Sequence, residues 1–275
     1  MRFLRFEGFA LLIIYLGLAT FGSRVYADDK IIVLAHETSW APHYGEALEQ
    51  GGYTVEIIRE ALKRVGYGLK TVWLPWKRAQ VDAARGDYDG LGASYHNEER
   101  GTKFAYSNPI ATTEVVFFKR PEDKIKYSKL EDLKPYKIGT GFGYGYPEKF
   151  VKADYLEKIE AYELKTNITR LLYKRIDLIV GSRKAILYYL KQKYPDRINS
   201  LEILGDPLET LSLYVLFSKM KPNYKQKVED FNRGLKIIKE DGTYQKIMEK
   251  HEVVVTDIQM PFGSMVIFMI KWAIA

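Results

Sequence analysis

The chain has 275 residues, 47% of them hydrophobic, a formal charge of +7 and no cysteine. The missing thiol excludes disulfides, zinc–thiolate sites, cysteine nucleophiles and a lipid-anchored cysteine together. The lysines are interleaved with acids, as between Lys119 and Lys134, which is the pattern of a solvated face rather than of a phosphate-tracking stripe, so no nucleic-acid partner is expected.

At the start, Arg2 and Arg5 precede an apolar run from Phe9 to Ala19, and Val25-Tyr26-Ala27 supplies the small residues that a signal peptidase reads. The pattern predicts a signal peptide over 1–27, a mature chain beginning at Asp28 and a periplasmic location. An uncleaved anchor is the alternative, but the run falls short of the ~20 apolar residues that span a bilayer.

After Asp28, short β-rich runs alternate with amphipathic stretches, which predicts an α/β fold. Strands are expected at Ile31 to Ala35, Leu69 to Leu74 and Tyr88 to Ala93. Helices are expected at Tyr53 to Val65, where Val55, Ile58, Ala61, Leu62 and Val65 share a face before Gly66, and from Pro75 to about Arg85. Two further β-rich runs, Thr113 to Lys119 and Leu211 to Ser218, bracket a second α/β set. Its elements are strands at Tyr136 to Gly139 and Asp177 to Val180, with helices at Thr166 to Lys174 and Arg183 to Tyr194.

Helices at about Asn223 to Lys239 and Thr243 to Lys250 close the chain. An insertion bounded by two extended segments implies two lobes joined by two crossings, a joint that can bend. The expected division is lobe one over 28–115 and 216–255, lobe two over 116–215, and an apolar tail over 256–275.

Several local motifs, in their order along the chain, resemble the family 3 extracellular solute-binding proteins. They are Trp40-Ala41-Pro42, Leu74-Pro75-Trp76-Lys77-Arg78, Gly86-Asp87-Tyr88-Asp89 and Asn97-Glu98-Glu99-Arg100. Phe104-Ala105-Tyr106-Ser107-Asn108-Pro109, Leu130-Glu131-Asp132-Leu133-Lys134, Lys174-Arg175-Ile176-Asp177 and Glu240-Asp241-Gly242-Thr243-Tyr244 follow. The resemblance covers about residues 30 to 250. It implies a two-lobed periplasmic-binding-protein fold, each lobe a mixed sheet flanked by helices and joined by two hinge strands. It also implies a monomeric receptor that closes on a small polar molecule, such as an amino acid, and presents it to the membrane permease of an ABC transporter. A sensor receptor is the alternative partner, and no cofactor is implied.

Within that frame Arg100 is the candidate carboxylate fork, since a guanidinium offers two parallel donors and stays charged. The resemblance places Trp40 as a stacking aromatic, Glu37 opposite a ligand amine, and Ser94, Tyr95 and Asn97 in the ligand-receiving segment. There Tyr95 and Asn97 are bulkier than the family's small hydroxyl residues. The run from Gly139 to Tyr146 has neither Gly-x-Gly-x-x-Gly spacing nor a following Gly-Lys-Ser/Thr, so it is no nucleotide loop. Its Gly143 and Tyr144 are expected to line the cleft from lobe two, with main-chain amides approaching a negative group near a helix start.

Ser182, five residues beyond Asp177, is neutral where amino-acid-binding relatives carry a second acid. The expected ligand is therefore a small carboxylate, not necessarily an α-amino acid. His36, His43, His96 and His251 show no paired metal spacing; His43 and His96 could line the cleft. An enzyme on the same fold, such as a dehydratase, is the rival reading.

Overall fold

A computed structural model describes residues 30–256. The signal segment and the tail beyond Thr256 lie outside the described residues. The chain opens with β1 (Lys30–Glu37), a small hairpin of β2 (Ser39–Trp40) and β3 (Tyr44–Gly45), and helix α1 (Tyr53–Arg64). Next come β4 (Tyr67–Leu74), α2 (Trp76–Arg85) and β5 (Gly90–Tyr95). β1 lies between β4 and β5 and runs parallel to both, as strand–helix–strand crossovers require. α1 forms because Val55, Ile58, Ala61 and Leu62 recur every three or four residues, and all are buried with Ile57 against the sheet and its neighbours.

A short helix α3 (Glu98–Lys103) and β6 (Phe104–Tyr106) lead into β7 (Ala111–Lys119), which carries the chain into the second lobe. That lobe holds β8 (Lys137–Gly141), α4 (Glu148–Val151), β9 (Glu157–Ala161), α5 (Leu164–Leu172), β10 (Leu178–Ser182) and α6 (Arg183–Lys193). The return strand β11 (Glu202–Ser218) is followed by α7 (Tyr224–Glu240) and α8 (Thr243–Thr256).

The strand order is β4-β1-β5-β11-β7-β10-β8-β9. Each lobe therefore repeats one plan: three parallel strands, then one antiparallel strand belonging to the crossing pair. β7 and β11 pair antiparallel, Ala111 to Val115 against Leu213 to Glu209 and Phe117 to Lys119 against Leu204 to Glu202. This is a two-lobed α/β architecture of the periplasmic-binding-protein kind. Side chains alternate along β7: Val115 and Phe117 enter the core cluster shared with lobe one, Val116 and Phe118 the separate core of lobe two. Burial on both faces explains its unbroken apolar run.

Three expectations need adjustment. The third strand begins at Gly90 rather than Tyr88, because Asp89 is drawn out of the strand: its carboxylate accepts from Val33 N at 2.8 Å and pairs with Lys227 at 2.8 Å. The return strand begins at Glu202, well before Leu211; a register shift between Leu204 and Glu209 absorbs the Asp206-Pro207 interruption. The motif from Asn97 to Arg100, for which no element was expected, is the start of α3, with Asn97 as its N-cap.

On the outer side of lobe one, α7 crosses α1 at closest approach through Gly234. A Cβ built there would stand 2.0 Å from the carbonyl oxygen of Ala61.

Candidate ligand-binding cleft

The C-terminal ends of β1 and β5 in lobe one face those of β8 and β10 in lobe two, the position where α/β sheets receive ligands. Two adjoining cavities open there. The smaller, walled largely by aromatic rings, holds the ionisable Glu37 and Arg100 with Ser94; the larger runs into lobe two. Trp40, Tyr95, Tyr144 and Gly145 form the wall between them.

Arg100 sits in α3 and is held by neutral groups. Its Nη1 donates to Ser94 Oγ at 2.9 Å and to the Tyr95 carbonyl at 3.3 Å, and its Nε donates to Gln80 Oε1 at 3.2 Å. The guanidinium lies 5.3 Å from the Trp76 ring centroid. Only 9% of the residue is exposed, and it forms no salt bridge among the described residues. Burial lowers its pKa from the usual arginine value, yet a guanidinium in a protein stays charged. The cleft therefore contains a desolvated cation with no carboxylate of the described residues within salt-bridge distance.

From lobe two, the Gly143 carbonyl accepts from Trp76 Nε1 at 3.1 Å and from Arg100 Nη2 at 3.5 Å. The loop thus presents an acceptor to the cation here, rather than the amide donors expected from its composition. The helix that follows, α4, starts only at Glu148 and is four residues long, so the glycine loop does not lead directly into a helix start; it is α6 that begins at the larger cavity, with its N-cap Ser182 and first-turn Ala185 in the lining. Gly143 has φ +70°, a left-handed conformation that glycine adopts without penalty and that turns its carbonyl towards lobe one.

Glu37, at the end of β1, accepts a hydrogen bond of 2.8 Å from the Tyr144 hydroxyl. Its carboxyl is pushed up to about 7, chiefly by burial; the bond from Tyr144 opposes the shift and the field of Glu163 adds to it. Burial and the nearby Glu37 push the Tyr144 phenol up as well, keeping it a donor.

His43 is fully buried and joins the lobes at a second place. Its Nε2 lies 2.8 Å from Ser182 Oγ, and its Nδ1 is hydrogen-bonded to the Tyr53 hydroxyl. Ser182 Oγ also meets Thr113 Oγ1 at 2.9 Å and accepts from Ala185 N at 3.3 Å, capping α6. Burial, aided by the charge of Lys184, lowers the His43 pKa to about 3, so the imidazole in this relay is neutral.

Of the expected site residues, Glu37, Trp40, Ser94, Tyr95, Arg100, Tyr144 and Ser182 line the two cavities, and Gly143 touches the guanidinium. Asn97 does not line them: its Oδ1 accepts from Arg100 N at 3.0 Å, and its backbone exchanges hydrogen bonds with the Tyr106 hydroxyl. It positions Arg100 by starting the helix that carries it. His96 is exposed and stands against Tyr106 and Tyr214, outside the cavities. Sequence reasoning missed Tyr44, Trp76, Gln80, Tyr146 and Asn167; Trp76 and Tyr146 stood inside recognised runs, whereas the others carry no local signal.

The comparisons with known proteins agree with this architecture. The family model described as bacterial extracellular solute-binding proteins, family 3, matches residues 32–253. The L-cystine-binding protein TcyA of Bacillus subtilis is 26% identical over 201 residues, 72% of this chain and 71% of TcyA. Among solved structures, a histidine kinase sensor domain with similarity to periplasmic binding proteins superposes with a TM-score of 0.72 at 18% identity, covering 81% of this chain and 96% of that one. The amino acid ABC transporter substrate-binding protein AbpA of Streptococcus pneumoniae, bound to L-arginine, gives 0.68 at 19% identity, covering 82% and 96%. At such identities the two structures speak for the fold alone. The matched family model, extending from the first strand to the last helix, makes this chain a member of the family 3 extracellular solute-binding proteins.

Proposed function

We propose that this chain is a periplasmic receptor that closes its lobes on a small carboxylate-bearing solute and delivers it, as a monomer, to the permease of an ABC transporter, without catalysis. The observation that carries the reading is Arg100: a buried, unpaired guanidinium at the mouth between the lobes, backed by Trp76 and steadied by Ser94 and Gln80. An anionic ligand supplies the charge that the protein withholds, and a carboxylate fits the fork with two parallel bonds. Glu37 and Tyr144, from opposite lobes, then flank the bound molecule, and Trp40 covers it. TcyA is named for binding L-cystine, which supports a carboxylate-bearing solute here. The apolar segment and the Val25-Tyr26-Ala27 site support export to the periplasm.

The test is a thermal-shift screen of small carboxylates, followed by calorimetry on wild type and Arg100→Ala. Loss of the charge-assisted contact should weaken the true ligand by roughly 2–5 kcal/mol. Unchanged affinity in the variant, or a true ligand without an anionic group, overturns the assignment.

A further inference from the structure

The larger cavity differs in chemistry from the place where Arg100 sits. No Asp, Glu, Lys, Arg or His lines it among the described residues; its wall is built from Val115, Leu164, Ile179, Val180 and Ala185 with the aromatic partition of Trp40, Tyr95 and Tyr144. Most polar groups that reach it are already bonded within the protein. Asn167 Nδ2 donates to the Thr140 carbonyl at 2.8 Å, while its Oδ1 accepts from Arg170 at 3.3 Å. Ser182 is tied to His43 and Thr113, the Tyr146 hydroxyl accepts from Gly141 N at 2.7 Å, and the Tyr144 hydroxyl is given to Glu37.

The neutral Trp40 indole and Tyr95 phenol remain, neither engaged in a side-chain hydrogen bond among the described residues, as single donors in an apolar wall. Outside the chamber, Glu37 lies across the partition in the smaller cavity, bonded to Tyr144, and Glu163 is paired with Lys165 at 2.6 Å. A chamber of this kind offers no charged side chain and no set of free acceptors to a charged guest.

We infer that the ligand carries, behind the carboxylate held at Arg100, an uncharged and predominantly apolar body that fills this chamber, and that ligands with a cationic or anionic body are rejected. The inference rests on the proposed role of Arg100 and adds what lies beyond the fork: branched-chain or aromatic amino acids, their 2-oxo counterparts, or other carboxylates with an apolar body. Selection comes from the walls. A guanidinium, ammonium or second carboxylate entering the chamber loses its water and gains no partner, whereas an aliphatic or aromatic group loses only unfavourable contact with water.

The experiment is a calorimetric panel on the full mature chain: leucine, phenylalanine, their 2-oxo analogues, arginine, lysine and glutamate. Each is tested against wild type, Arg100→Gln and Leu164→Glu, the last placing a carboxylate in the half-buried part of the wall. Arginine, lysine and glutamate should bind wild type at least roughly 100-fold more weakly than the best apolar-bodied carboxylate, because a buried charge is left unpaired. Leu164→Glu should weaken that best ligand by at least roughly tenfold while the variant keeps the circular dichroism spectrum of wild type. If arginine, lysine or glutamate binds wild type as tightly as the apolar-bodied ligands and Arg100→Gln abolishes it, the chamber inference is overturned and the receptor reading stands. If no carboxylate binds wild type, both fall.

Discussion

His43 Nε2 and Ser182 Oγ meet at 2.8 Å although 139 residues separate them, and each belongs to a different lobe. Both residues are buried, so the pair acts as a fastener inside the seam rather than as a surface contact.

Breaking that fastener should loosen the lobes. Ser182→Ala leaves the His43 Nε2 without its partner and removes the cap of α6, a cost of about 1–3 kcal/mol. A double-mutant cycle with His43→Ala, read by urea unfolding, should return a coupling energy of about 0.5–3 kcal/mol. Additive single effects would show that the two side chains do not cooperate.

The pH dependence of stability should carry opposing signatures. Glu37 rises from 4.5 to about 7 on folding, so between those values the folded chain holds a proton that the unfolded chain has released, and its contribution declines as pH rises through that window. His36 and His43 fall from 6.5 to about 4 and about 3, both chiefly through burial. The unfolded chain then binds more protons below about 6.5, and their contribution is lost as the solution is acidified. Glu37→Gln should therefore make stability climb more steeply from about pH 4.5 to 7 than in wild type. Equal slopes for the two proteins in urea melts would remove Glu37 as the source.

Saturating ligand should contract the molecule. β7 and β11 are the strands that pass between the lobes, and contacts from Arg100 and from the Gly143 loop act on one ligand only when the lobes meet. Small-angle scattering with a ligand found by the screen should give a smaller radius of gyration than without it; an unchanged radius would argue for a rigid receptor.

The crossing of α1 and α7 gives a stability test far from the cleft. Gly234→Ala drives a methyl into the Ala61 carbonyl, with a 2.0 Å separation that backbone must relieve, and should cost about 1–3 kcal/mol with ligand affinity unchanged. Gly101→Ala is the control. A Cβ there meets nothing within 4 Å, and the helical glycine gives up about 0.5–1 kcal/mol of backbone freedom that alanine does not.

The α/β alternation and the family were legible because they are written locally. The spacing of Val55, Ile58, Ala61 and Leu62 marks α1, and Asn97 to Arg100 with the following Phe104 to Pro109 marks the fork. β9 was missed since Glu-Lys-Ile-Glu-Ala, an edge strand with charges facing water, has no apolar alternation to detect. The first half of β11 was missed because Gly205, Asp206 and Pro207 signal a turn, while in the fold they form a bulge sustained by β7. At the site, composition identified the glycine loop but not the direction of its peptide planes, so the Gly143 carbonyl was read as amides. The meeting of His43 with Ser182 depends on how two separately folded lobes abut, which no local window contains.

Because β11 serves both lobes and α7 covers α1, the N-terminal part of the chain cannot complete its sheet until residues beyond 210 arrive. A polypeptide emerging from the ribosome with its first hundred residues has β1, β4 and β5 but neither the antiparallel neighbour of β5 nor the helix that covers Val55 to Leu62. Contacts of such long sequence separation form slowly. Completion of lobe one's sheet therefore waits on the last quarter of the chain, so a truncation before β11 leaves both lobes without a strand that each of them needs.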